Sequence, residues 1–277
     1  MYKLLIKIVI FLILAAPVIG MANPLGSQFP SALLYQGKPI DPLCLSDASD
    51  LSKPINLAKC GLATEKGYKF TNYNQDLIKQ GFFGFDYEYR LDNATGTYHG
   101  YSYYKSYGMA NGADIIYLIN NSGGSGQFSA LYSVKRNGNL LQVKSYDGGD
   151  RCNGGITDVK RDNNQLTYHQ NLTSYDLFAL ANDNPHKLSA YSDLEACAAC
   201  CVATVVLKHD LKNDTSEQQF VSVDLTSYPI DPKNPPQQGK YQACFNNFLL
   251  QAEANKKSLS PNDLAQLVKK FNLECLK

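Results

Sequence analysis

The residues with most chemistry to offer stand in one short stretch, Asp147–Gly155, which reads Asp, Gly, Gly, Asp, Arg, Cys, Asn, Gly, Gly. Asp147, Asp150 and Asn153 carry the oxygen donors that a hard cation such as Ca²⁺ takes. Arg151 carries a planar fork for a carboxylate or phosphate, unless Asp147 or Asp150 fills it from within the stretch. The same two carboxylates would give a hydrolase its general acid and base. The plainer alternative is a wide turn or β-bulge held by Cys152 and an internal Arg–Asp pair, since strand connections often use Gly–Asp chemistry.

A second concentration is Cys197, Cys200 and Cys201. Thiolates at Cys-x-x-Cys spacing bind a soft metal or exchange disulfides, and redox proteins place that motif at a helix N-terminus. Here the flanking strand–helix–strand pattern is missing and a third cysteine follows directly, so structural crosslinks are the first reading. The third concentration is tyrosine: nine of the 19 fall between Tyr68 and Tyr107. Tyr98, Tyr101, Tyr103, Tyr104 and Tyr107 cannot all point to one face of a strand. Tyr101, Tyr103 and Tyr104 are therefore candidates for an outward patch, where an apolar ring with a polar tip suits protein or sugar recognition. Coverage of that face by residues 23–73 is the competing reading.

Other chemistry is missing. The chain has no Gly-x-Ser-x-Gly elbow, zinc-binding His-Glu-x-x-His, phosphate-binding loop or dinucleotide fingerprint, so no cofactor and no metal are expected. His99, His169, His186 and His209 lie in separate segments, and His209 reads as a solvated loop residue rather than half of a triad.

The elements that must carry these residues follow from periodicity. Phe83, Phe85, Tyr87 and Tyr89 alternate with Gly84, Asp86, Glu88 and Arg90, the period of a half-buried strand. Tyr98–Tyr107 is predicted to return beside it after the turn-forming residues Asp92–Gly96. Ile115–Ile119, Phe128–Lys135, Leu140–Tyr146, Ile156–Lys160, Gln165–Asn171, Val202–Leu207 and Phe220–Leu225 read as further strands. Asn137-Gly138 predicts a type I′ hairpin and Asp162–Asn164 another turn. Short strands at this spacing predict an antiparallel β-sandwich or barrel. Near the end, Tyr241, Cys244, Phe245, Phe248 and Leu249 mark one helical stripe, and Leu264, Leu267, Val268 and Phe271 another. Ser260, Pro261 and Asp263 form the start signal of the second helix, giving a C-terminal α-helical hairpin.

Compartment enters through the first residues. Met1–Ala22 has Lys3 and Lys7, an apolar run from Ile8 to Ile19 and a small-residue Gly20-x-Ala22 site: a secretory signal peptide. Its removal leaves 277 − 22 = 255 residues, with 26 − 2 = 24 basic groups against 25 acidic ones. That balance excludes a nucleic-acid binder built on bulk positive charge. No later run is long and apolar enough to predict a membrane span. All eight cysteines lie after the signal and are expected as disulfides in a periplasmic or secreted setting of bacterial type, suggested by the short, strongly apolar signal and the Asn- and Lys-rich loops. Cys44–Cys60 and Cys244–Cys275 are expected on local grounds, and Cys152 is expected to reach the Cys197, Cys200, Cys201 cluster.

The chain thus divides into a signal (1–22), an irregular segment laid over the core (23–73), an antiparallel β region (74–230) and a helical appendage (231–277). The functional expectation is an exported, non-catalytic binding or interaction module for a protein or carbohydrate ligand. Alternatives are a hydrolase using the carboxylates of 147–155, or a thiol-based metal or redox protein.

Overall fold

The computed structural model describes residues 29–46, 52–60, 68–71, 73–90, 96–181, 191–213, 218–231, 233 and 239–276. The expected signal peptide lies outside them. In chain order the elements are β1 (Leu34–Tyr35), β2 (Lys38–Pro39), α1 (Leu43–Ser46), β3 (Ile55–Asn56), β4 (Lys69–Thr71) and α2 (Gln75–Lys79). Then come β5 (Phe83–Tyr89), β6 (Tyr98–Ala110), β7 (Ala113–Asn121), β8 (Phe128–Asn137), β9 (Leu140–Asp150), β10 (Ile156–Asp162) and β11 (Gln165–Leu172). The last are α3 (Ser174–Ala179), β12 (Ala203–Asp210), β13 (Gln218–Asp224), α4 (Gln242–Asn255), β14 (Ser258–Leu259) and α5 (Pro261–Cys275).

Twelve strands form a seven-stranded sheet, ordered β3-β9-β8-β7-β6-β5-β4, and a five-stranded sheet, ordered β10-β11-β12-β13-β14, while β1 and β2 pair only with each other. Every pairing is antiparallel. Together they make the expected mainly-β architecture, a curled half-barrel or sandwich with C-terminal helices and four disulfides.

The apolar run in β7 explains the layering. A strand covered on one face alternates, whereas Ile115, Ile116, Tyr117 and Leu118 are all buried. Ile115 and Tyr117 join a core with Leu131, Leu166, Tyr168 and Leu207, between the two large sheets. Ile116 and Leu118 face the other way, onto Leu33, Ile40, Cys44, Leu45 and Leu57. The N-terminal segment therefore covers the outer face of the seven-stranded sheet, with Cys44–Cys60 closing it on itself.

The C-terminal helices behave as their pattern predicts. Phe245, Phe248, Leu249, Leu264, Val268 and Phe271 are buried in the same core as the sheets. Ser260 and Asp263 make both bonds of a capping box, Pro261 stands at the first turn, and Cys244–Cys275 ties the two helices. Such a cap contributes about 1 kcal/mol.

Two local expectations need correction. Asn137 pairs with Leu140, so the loop residues are Gly138 and Asn139, and among these only Gly138 has positive φ (59°). That is the type II′ pattern, with glycine at the first central position. The type I′ pattern occurs instead at Asn111-Gly112, where φ is 50° and 74° between the paired Ala110 and Ala113. His209 is not a solvated loop residue: β12 continues through Asp210, His209 pairs with Leu166, and its ring lies 4.4 Å from that of Tyr146. It is 1% exposed.

Candidate functional site

The acid-bearing stretch splits in two. Asp147–Asp150 belongs to β9 and only Arg151–Gly155 forms the turn into β10. Arg151 takes φ +46°, while its backbone N–H donates to Gln127 O and its carbonyl accepts from Gly155 N–H at 2.9 Å and Asn171 Nδ2 at 3.2 Å. Asp150 and Asn153 exchange backbone hydrogen bonds of 3.0 and 2.8 Å. Gly149 is required there, because a Cβ would collide with the Asn153 carbonyl oxygen. The neighbouring Cys152 is buried and crosslinked to Cys201 with Cα atoms 4.7 Å apart, fixing the turn to the loop before β12. Cys197 and Cys200 pair with each other.

The two carboxylates do not converge. Asp147 reaches across to the five-stranded sheet, accepting from Tyr168 Oη at 3.0 Å, Gln170 Nε2 at 2.8 Å and Gln218 Nε2 at 3.2 Å. Burial holds its carboxyl above the usual range. Asp150 instead takes the Arg151 fork, with Nε at 3.0 Å and Nη2 at 3.1 Å, and also accepts from Gln127 N–H at 2.7 Å. The guanidinium beside it holds the Asp150 carboxyl below the usual range. A hydrolytic pair would need both acids on one substrate bond, and these two are committed elsewhere. Asn153 is exposed on the turn. Among the described residues no group of three or more His, Cys, Asp and Glu is placed to hold a metal ion.

The tyrosine strand also divides by face. Tyr103 (2% exposed) enters the core between the sheets and donates to Asp86 Oδ2 at 3.0 Å. Tyr104 (1% exposed) enters the outer core and donates to the Ile40 carbonyl at 3.0 Å. Burial raises both phenols above their ordinary range. Neither presents a binding surface, because the alternating faces of β6 are both covered. Coverage by the N-terminal segment is the outcome for Tyr104.

Tyr101 is placed differently. It lines a cleft of about 290 Å³ together with Tyr117, Phe128, Arg151, Asn171 and Tyr228. Two sequence candidates, Tyr101 and Arg151, thus meet in one place. Periodicity offered no signal for the contributions of Phe128, Asn171 and Tyr228, since each comes from a different segment. The Tyr117 hydroxyl donates to the Ile156 carbonyl, so this ring is a fixed wall. Phe128 is 46% exposed at the rim. Cys201 also lines the cleft, so the Cys152 crosslink forms part of its frame. Two further clefts, of about 480 and about 590 Å³, border the same Gly148–Gly154 segment from other sides.

Comparisons with protein-family models, curated proteins and solved structures found no match for this chain.

Proposed function

We propose that the protein is an exported, disulfide-locked, non-catalytic binding module whose ligand, a short uncharged carbohydrate, occupies the cleft between Tyr101 and Arg151. The observation that carries this reading is the lining itself: aromatic rings of Tyr101, Tyr117, Phe128 and Tyr228 beside the polar side chains of Gln127, Asn171 and Thr157. Aromatic rings stack on the apolar faces of sugar rings, while amides and hydroxyls satisfy sugar hydroxyl groups. Charge argues for a neutral ligand, because the Arg151 fork is already balanced by Asp150. The cleft volume sits near the lower end of small-molecule sites, which suits one or two sugar units better than a folded protein. Four crosslinks support an oxidising compartment.

The test is calorimetric titration against neutral oligosaccharides, acidic oligosaccharides and peptides. A neutral glycan should bind, and Tyr101→Ala and Tyr228→Ala should each weaken it about tenfold or more, the loss of roughly one stacking contact of 1.4 kcal/mol. Binding unaffected by both substitutions would overturn the assignment of the cleft.

A further inference from the structure

Of the eight cysteines, only Cys197 is exposed; Cys60, Cys200, Cys201, Cys244 and Cys275 are partly covered, and Cys44 and Cys152 are buried. Its partner Cys200 lies three positions on, whereas the other crosslinks span 16, 31 and 49 residues. The short span matters through linkage. A disulfide stabilises a fold chiefly by shortening the unfolded ensemble, and the fold protects the disulfide from reduction by the same factor. On loop length alone, the fold protects Cys152–Cys201 about fiftyfold more than Cys197–Cys200.

The local backbone supports a turn that holds its shape without its own crosslink. Cys200 N–H donates to the Cys197 carbonyl at 3.0 Å, so Cys197-Ala198-Ala199-Cys200 is a hydrogen-bonded turn that needs no crosslink to close. It docks on the neighbouring turn through Cys152 N–H and the Ala198 carbonyl. The flanking Ala196, Ala198 and Ala199 are small, and Ala196 and Ala199 are exposed like Cys197 itself, leaving room for another protein's surface at this residue. The motif is not at the start of a helix, where catalytic oxidoreductases place theirs.

We propose that Cys197–Cys200 is a thiol-exchange site that accepts electrons from a dithiol carried by a redox protein. A thiolate of that dithiol attacks Cys197 Sγ, an intermolecular S–S bond forms, and the Cys197–Cys200 bond breaks with Cys200 leaving as thiolate. The second thiol of the donor then attacks its own bridging sulfur and releases Cys197 as thiolate. Two electrons pass to the pair, each thiolate takes a proton, and the donor ends as an intramolecular disulfide. Cys152–Cys201 stays closed, so the cleft frame survives.

The test treats native protein with a slight molar excess of reduced thioredoxin, with dithiothreitol in parallel, followed by alkylation and peptide mapping. Complete loss of the Cys197–Cys200 crosslink with both reagents, while the other three persist, is the expected result. Reduction by dithiothreitol but not by the protein dithiol would overturn the proposed partner. Earlier labelling of any other pair would overturn the site. As a second measurement, Cys200→Ser protein should capture one glutathione on Cys197 from oxidised glutathione, with a smaller fall in melting temperature than Cys152→Ser shows. An adduct elsewhere, or none, would also overturn it.

Discussion

Asp147 on β9 accepts a 3.0 Å hydrogen bond from the Tyr168 hydroxyl on β11, so a carboxylate joins the two sheets. Burial raises the Asp147 pKa and also pushes up that of Tyr168. Between the ordinary and the raised value, the folded chain binds a proton that the unfolded chain has lost. Stability therefore falls as pH rises through that window. Asp147→Asn should remove this slope and keep or raise the melting temperature at neutral pH. Asp147→Ala leaves the fully buried Tyr168 hydroxyl without its acceptor and should cost about 1–3 kcal/mol. Thermal unfolding of the three proteins from about pH 4 to about pH 8 distinguishes these outcomes.

Asp114 provides a second acid with the same sign. It is 1% exposed on β7, and its Oδ1 has no hydrogen-bond partner among the described residues. Desolvation raises its pKa. Asp114→Asn should raise the melting temperature at neutral pH, with the gain shrinking as pH falls into the ordinary carboxylate range. A variant less stable than the parent at neutral pH would show that the charge is compensated.

How much of this was legible in the sequence depended on the range of the determining contact. The β5 alternation from Phe83 to Tyr89 and the Ser260–Asp263 cap are local signals, and both elements formed where the residues placed them. A second cap, Thr173 with Asp176, obeys the same rule and begins α3. The burial of His209 comes from pairing with Leu166, which no neighbouring residue encodes, so local pattern points to a loop instead. The cleft was half legible: Tyr101 and Arg151 stood out by type, but only the curl of the sheets brings Phe128 and Tyr228 beside them.

Cys152 and Arg151 are adjacent but should respond differently. Opening Cys152–Cys201, which closes a span of 49 residues, is worth about 4 kcal/mol in the chain-entropy model. Cys152→Ser should lower the melting temperature by on the order of 10 °C. The Arg151–Asp150 pair is partly exposed, and its loss in Arg151→Ala should lower the melting temperature far less than Cys152→Ser does. Arg151→Gly also loses the pair but relieves the positive φ, so it should be about 1 kcal/mol more stable than Arg151→Ala. Differential scanning calorimetry of the three variants checks the order.

Neighbouring tyrosines on β6 should separate folding from binding. Tyr104 is buried beneath the N-terminal segment, and its hydroxyl donates to the carbonyl of buried Ile40. Tyr104→Phe leaves that carbonyl without its partner and should cost about 1–2 kcal/mol. Tyr104→Ala also opens a cavity and should cost about 3–5 kcal/mol. Because this core lies on the sheet face away from the cleft, Tyr104→Phe should leave glycan affinity unchanged while making the chain near Ile40 easier to cleave by protease. Tyr101→Ala should do the reverse, losing affinity with protease resistance at Ile40 retained. If Tyr104→Phe weakens binding as much as Tyr101→Ala, the two faces of the sheet are coupled and the cleft is not an independent site.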